Sequence, residues 1–272
     1  MTDPDDTDLD PDTPHSARVW NYWLGGKDNY EADRLAGDLF VQIQPTIITI
    51  AREGRGFIAR TTAFLAGEAG IRQFLDVGTG LPTMDNTHEV AQRIAPDARV
   101  VYVDNDPLVL AHARVLLNST EEGTTRYLHE DMRNPEALLA GAAKILDLTR
   151  PVAVLFHGVL GHIPVLADAQ RLVRTLMDAV APGSYLAQWD GTDVVDPATR
   201  QAQDEYHDTG ATVYVLRTPE ELESLFDGLE FVPPGFVSIP FWRPAEVSGV
   251  PRLGRQEPEV LDAFGGVARK IR

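Results

Sequence analysis

From Ile71 the sequence repeatedly changes its hydrophobic period. Short apolar runs at 73–77, 100–103, 125–128, 152–156 and 185–189 alternate with helical patterns at 86–94, 107–117, 135–146 and 169–180. The runs are too short for helices, and the segments between them place apolar residues three and four apart. Strand and helix in that rhythm predict a parallel sheet with helices on both faces. Asp106-Pro107 and Asn134-Pro135 each set a capping side chain before a proline suited to the first helical turn. Over 169–180, Leu172, Val173, Leu176 and Val180 form one apolar face, with Arg171, Arg174 and Asp178 opposite.

The first run ends in Phe74-Leu75-Asp76-Val77-Gly78-Thr79-Gly80-Leu81-Pro82. A strand entering Gly-x-Gly is a nucleotide-binding start of an α/β fold, because glycine lets backbone amides approach a ligand closely. Asp76, two residues before the first glycine, would repel a pyrophosphate but suits a ligand carrying ammonium or sulfonium charge. The third glycine of the dinucleotide fingerprint is missing, since Leu81, Pro82 and Thr83 follow Gly80. Asp-x-Gly-x-Gly therefore leans toward S-adenosylmethionine rather than NAD. Two more acids end later runs. Asp104 closes Val100-Val101-Tyr102-Val103 and is placed to accept from both hydroxyls of a ribose, with Asn105 beside the adenine. Asp106 is better explained as a helix cap. Asp131, after 125–128, is a candidate acceptor for an adenine amino group, with the Met132 backbone donating to the ring. Ligands of open α/β sheets bind at these carboxyl ends.

These stretches, with Ala17-Arg18-Val19-Trp20-Asn21-Tyr22-Trp23-Leu24-Gly25-Gly26-Lys27-Asp28-Asn29-Tyr30, resemble the class I Rossmann-like S-adenosylmethionine-dependent methyltransferases. Within them the chain looks like an S-adenosyl methyltransferase subfamily of unassigned substrate. The resemblance covers nearly everything beyond the first residues. It implies an α/β fold with a seven-stranded, mostly parallel sheet ordered 3-2-1-4-5-7-6, the seventh strand antiparallel, and an N-terminal helical lid. It also implies in-line methyl transfer from S-adenosylmethionine to an acceptor that the sequence does not identify; a small molecule is expected, and a protein stays open.

Ahead of the sheet, Ser16 is read as the cap of a helix holding Val19, Trp20, Tyr22, Trp23 and Leu24, stopped by Gly25-Gly26. A second helix is expected from about Tyr30 and a third over 57–68. Such helices fold over the cofactor in the family resembled. Tyr22, Gly25, Gly26, Asn29 and Tyr30 are thus candidates for its methionine end, although the aromatic residues also suit a packed helix pair. Arg60 is either a partner for the cofactor carboxylate or an ordinary surface arginine. His157 and His162 flank the end of the fourth run, with Gly158 between them. Either is a candidate general base facing the reactive methyl, and His157 and Gly158 are also assigned to the cofactor. Trp189 and Asp190 are expected near the acceptor. With Thr79, the cofactor set is complete, and no metal is expected.

The last third breaks the rhythm. A strand is expected at 212–216, and Thr218-Pro219-Glu220-Glu221 is a capping box opening a helix that Gly228 stops. A final strand is expected at 236–241, then a proline-marked loop. The expected organisation is a disordered acidic tail at 1–14, a helical cap at 15–70 and the cofactor-binding domain at 71–272. The 272 residues carry 24 basic and 41 acidic side chains, a formal charge of −17. That balance disfavours nucleic acid and anionic membranes. No cysteine is present, which removes disulfides and thiolate metal sites. No apolar run is long enough to span a bilayer, so a cytoplasmic protein is expected. Two other readings use the same residues: a cofactor-binding module without turnover, and an NAD-dependent oxidoreductase, which Asp76 and Thr83 disfavour.

Overall fold

The computed structural model describes residues 10–82, 85–109, 119–244 and 258–272. The acidic run before residue 10, Thr83, most of the helix expected at 107–117 and the stretch 245–257 lie outside the described residues.

Five parallel strands form the centre of the sheet: β1 Gln73–Val77, β2 Arg99–Asp104, β3 Thr124–His129, β4 Ala153–His157 and β5 Tyr185–Gly191. Three more follow: β6 Glu230–Phe231, β7 Val237–Ser238 and β8 Ala263–Arg269. The order is β3-β2-β1-β4-β5-β8-β6, with β7 also paired to β8. β8 runs antiparallel to β5. The expected Rossmann-like order therefore holds, with eight strands rather than seven, and with the antiparallel strand elsewhere in the chain. The segment 236–241 supplies only the two residues of β7 before a 3-10 turn, Ile239–Phe241. β8 itself was not foreseen, because Gly265-Gly266 argues against a strand on propensity. Packing explains it. A Cβ on Gly265 would stand 2.3 Å from the Gln188 carbonyl oxygen and 2.4 Å from Trp189 Cβ, so only glycine lets β8 lie on β5.

The helices are α1 Ser16–Trp23, α2 Glu31–Ile43, α3 Ile47–Gly67, α4 Thr87–Ile94, α5 Pro135–Ala142, α6 Leu166–Ala179, α7 Ala198–Asp208 and α8 Pro219–Glu223. His15, not Ser16, occupies the N-cap of α1. α3 begins at 47 rather than 57 despite Gly54 and Gly56, whose propensity cost is outweighed by apolar contacts at Ile47, Ile50, Ala51 and Phe57. α7 had no counterpart in the sequence reading. Its Ala202 and Tyr206, four residues apart, are buried, and it packs on α2. Asp10 to Pro14, expected in the tail, are held by Arg18, whose guanidinium donates to the Asp10 and Thr13 carbonyls.

Side chains alternate across the sheet as strand geometry requires. Phe74, Val100, Tyr102 and Leu155 face a core shared with α1, α2, α3 and α7, whereas Leu75, Val101, Val103, Val154 and Phe156 face α5, α6 and the 3-10 turn after α8. The N-terminal helices thus have no core of their own. Val19, Phe40, Phe57 and Leu65 belong to the sheet's first face, each fully buried side chain stabilising by roughly 1.5–3 kcal/mol.

Candidate active site

The site starts where β1 turns into its glycines. Gly78 and Gly80 adopt φ of 73° and 65°, a region costly for any residue with a Cβ. A Cβ on Gly78 would also meet Val159 Cγ2 at 2.2 Å, whereas one on Gly80 would have only Ala17 Cβ nearby, at 4.0 Å. The first glycine is demanded by packing, and the second leaves open space on the cleft side. The amide of Gly80 donates to Asp104 Oδ2 at 2.8 Å, and that of Asp106 to Oδ1 at 3.0 Å. Burial raises the Asp104 carboxyl above its ordinary value, and the two amides oppose that shift. Asp106 caps the turn beginning at Pro107, accepting from Leu108 N at 2.8 Å.

A cavity of about 240 Å³ opens at the carboxyl ends of β1 to β4. It gathers Gly78, Thr79, Gly80, Asp104, Asn105, Asp131, Met132, His157, Gly158 and His162. Ten sequence-predicted residues from separate segments therefore meet on one surface. Asp131, at the rim, already binds Arg133, whose Nε lies 2.9 and 3.0 Å from the two carboxylate oxygens. That contact holds the Asp131 carboxyl below its ordinary value.

Several predicted residues lie elsewhere. Asp76 is buried behind the turn, and its Oδ2 accepts from Thr87 Oγ1 at 2.6 Å. Burial raises its carboxyl to about 6, against the lowering effects of Thr87 and the Arg55 charge. Asp76 itself does not line the cleft, whereas Arg55, whose charge acts on it, does. Arg60 faces away, donating to the carbonyls of Trp242 at 2.9 Å and Ile239 at 2.8 Å. Tyr22 donates to Asp38 Oδ1 at 2.6 Å, and the Tyr30 ring lies under Arg18 at 4.9 Å. Gly25, Gly26 and Asn29 sit one layer back. Asn21 Oδ1 accepts from Asp28 N and Asn29 Nδ2, both at 3.0 Å, and it is Asn21 that reaches the cleft. The glycine-rich turn positions Asn21 rather than touching the cleft itself. Nothing in the sequence separated Arg55 from Arg60, or Asn21 from Asn29. Which face of α3 meets the sheet decides the first pair, and the folding of the loop between α1 and α2 back onto Asn21 decides the second.

The two histidines differ. Neither ring nitrogen of His157 has a partner among the described residues, and burial pushes the imidazole down to about 3. It stays neutral near pH 7 and is too weak a base to remove a proton well. His162 Nδ1 lies 2.8 Å from the Val213 carbonyl, an acceptor that assigns the ring proton to Nδ1 and leaves Nε2 basic. Burial lowers His162 as well. The segment 212–216, expected as a strand, pairs with no strand among the described residues. Its Val215 N instead donates to the Gly161 carbonyl at 2.9 Å. Arg217, missed by sequence reasoning, is buried and donates to Leu160 and Ile163 carbonyls, fixing the turn that carries His162. A second cavity shares the Ser16, Trp20, His162 and Trp189 walls of the first. Asp190 lines neither cavity, but it accepts from the Tyr214 hydroxyl at 2.7 Å.

A central order 3-2-1-4-5 with an antiparallel strand beyond it, a glycine turn after β1 and a carboxylate ending β2 define a Rossmann-like fold, the class I methyltransferase architecture. The chain matches the S-adenosyl methyltransferase family over residues 2–271 and belongs to it. It is an S-adenosylmethionine-dependent methyltransferase. A DUF574 family protein from Streptomyces avermitilis is 42% identical, with a TM-score of 0.89 over 96% of this chain and 99% of that one. A candidate methyltransferase from Thermobifida fusca is 40% identical, with a TM-score of 0.85 over 96% of each chain. The plantazolicin methyltransferase BpumL, solved with a triazolic desmethylPZN analog and SAH, shares the fold at 13% identity and a TM-score of 0.51, over 94% of this chain and 96% of that one. No curated protein matches the chain.

Proposed function

We propose that the enzyme methylates a small molecule, with the cofactor held along the Gly78–Gly80 turn and the acceptor entering beside His162. The observation that carries this is the junction of the two cavities at Trp20, His162 and Trp189. A space of this small size beside the cofactor cleft suits a small acceptor better than a macromolecular one. The cleft suits the cofactor on three counts: an open Gly80 face, a carboxylate closing β2 and the unpartnered nitrogens of His157.

S-adenosylmethionine, when bound, supplies a methyl group on a positively charged sulfur. The chain supplies the rest. Asp104 already accepts two backbone bonds but retains lone pairs for ribose hydroxyls. Asn105, Asp131 and Met132 border the adenine end. Of the two arginines lining the cleft, Arg133 is paired with Asp131, and Arg55 is the one suited to the methionine carboxylate, the role expected of Arg60. Helix α1 covers the cleft through Ala17, Trp20, Asn21 and Leu24, which keeps water from the reacting atoms. His162 receives the acceptor's proton at Nε2, and the walls hold the acceptor atom in line, the main catalytic contribution in such a transfer.

Calorimetric titration with S-adenosylmethionine tests the cofactor half. Asp104→Ala removes two charge-assisted ribose bonds at about 1.5–3 kcal/mol each and is expected to weaken binding at least a hundredfold. Unchanged affinity in a folded variant would refute the placement.

A further inference from the structure

We propose that Tyr214 and Asp190 are positioning residues for His162: together they fix the segment 212–217 across the turn that carries it, and that segment sets which ring nitrogen holds the proton. The proposal rests on the reading of His162 as the base. Thr212 lines the cofactor cleft, whereas Tyr214 and Leu216 line the second cavity. Alternate residues of the segment therefore border the two spaces that His162 also borders. The segment is tied to the His162 turn through its backbone and through Arg217. Val215 N donates to the Gly161 carbonyl at 2.9 Å, and the Arg217 guanidinium donates to the Leu160 carbonyl at 2.9 Å and to that of Ile163.

Tyr214 ties the same segment to β5 and α7. Its hydroxyl donates to Asp190 Oδ1 at 2.7 Å and accepts from Gly191 N at 3.0 Å, and its amide donates to His207 Nε2 at 2.9 Å. Its ring stands edge-on to that of His162, with centroids 5.1 Å apart and planes at 81°. Gly161 makes room for this ring, since a Cβ there would lie 2.5 Å from two of its carbons. Asp190 is buried. Its Oδ1 also accepts from Gly161 N at 3.3 Å, and its Oδ2 from Gln188 Nε2 at 2.8 Å. Burial raises the Asp190 carboxyl above its ordinary value, and the Tyr214 and Gln188 donors oppose that shift. One carboxylate thus joins β5, the His162 turn and the segment crossing it.

The consequence falls on the His162 tautomer. A neutral imidazole in water favours the proton on Nε2, which would leave no lone pair there to take a proton. A carbonyl opposite Nδ1 reverses the preference, because it requires an N–H at that position. The Val213 carbonyl supplies this at 2.8 Å. Val213 itself is 48% exposed, so packing of its own side chain does little to hold that carbonyl. The anchor is the next residue, Tyr214, whose hydroxyl and amide are both bonded.

The test reads the His162 tautomer in the cofactor-free protein near pH 8, by nitrogen–proton correlation spectra of isotope-labelled histidine. The spectrum of His162→Gln identifies its signals among the seven histidines. The wild-type ring is expected in the Nδ1–H form. Tyr214→Phe keeps the ring and removes the bonds to Asp190 and Gly191, and should shift the tautomer ratio about 3–10-fold toward Nε2–H. Its affinity for S-adenosylhomocysteine should be unchanged, because Tyr214 does not line the cofactor cleft. Asp190→Asn retains an acceptor for the Tyr214 hydroxyl. Gln188 Oε1 has no partner among the described residues, so turning that amide meets the new N–H, and the wild-type tautomer should persist. With an acceptor found by methyl-transfer screening, Tyr214→Phe should lower kcat by a factor similar to the tautomer shift and leave the KM for S-adenosylmethionine unchanged. A Tyr214→Phe spectrum like that of the wild type, or a shift in Asp190→Asn as large as in Tyr214→Phe, would overturn the proposal. A wild-type ring in the Nε2–H form would instead overturn the assignment of His162 as the base.

Discussion

Replacing Asp76 by asparagine should stabilise the cofactor-free enzyme at neutral pH, and the gain should shrink with acid. Asp76 is 6% exposed, and burial raises its carboxyl from 3.8 to about 6. A folded-state value above the unfolded one means that the folded protein binds the extra proton. Stability is therefore greatest at low pH, declines as pH rises from 3.8 and is fully lost above 6. The difference of about 2 units corresponds to roughly 3 kcal/mol at pH 8 and about half that at pH 5. Asparagine carries no charge, so its curve lacks this decline. Its oxygen still accepts from Thr87, and the burial cost of its amide is the same at every pH and cancels in the comparison. The Asn variant's advantage should thus grow by about 1.5 kcal/mol between pH 5 and pH 8, which moves the melting temperature by several degrees at roughly 2–4 °C per kcal/mol. Thermal melts of both proteins at the two pH values measure it. A melting-temperature difference that is the same at pH 5 and pH 8 would refute the claim that Asp76 is held charged against its burial.

Three other outcomes separate residues that the sequence could not. Gly78→Ala combines positive φ with a contact to Val159 at 2.2 Å and should destabilise the fold by about 2–4 kcal/mol. Gly80→Ala has open space, so it should cost only about 1–2 kcal/mol while weakening S-adenosylmethionine binding, with calorimetry and thermal melts reading the two effects. Arg55→Met should weaken S-adenosylmethionine binding about tenfold or more by removing a charged bond, whereas Arg60→Met should lower the melting temperature by releasing the Trp242 and Ile239 carbonyls and leave affinity intact. His162→Gln should slow turnover of an acceptor found by methyl-transfer screening about 10²–10⁴-fold with unchanged cofactor affinity. Because burial lowers His162 and the neutral ring is the base, wild-type turnover should rise with pH to a plateau whose midpoint lies below 6.5.

Much of the molecule follows from the sequence, because local signals and burial agree there. The five parallel strands, the caps at Asp106 and Asn134 and the buried face of α6 are each set by side chains near in sequence. The cleft floor is legible for the same reason: Gly78, Gly80, Asp104 and Asp131 lie at strand ends, where a parallel sheet always presents them. What the tertiary structure alone decided depends on contacts between distant segments. β8 exists because Gly265 admits the Gln188 backbone, although a diglycine is a poor local strand signal. Arg55 rather than Arg60 reaches the cleft because α3 turns that face to the sheet's carboxyl ends, and Asp76 withdraws because Thr87 of α4 captures it. His162 gains its basic nitrogen from the Val213 carbonyl, fifty-one residues away along the chain. Local propensity carries no information about such pairings, since the partner that fixes each one arrives only when the sheet and the N-terminal helices have closed on a common core.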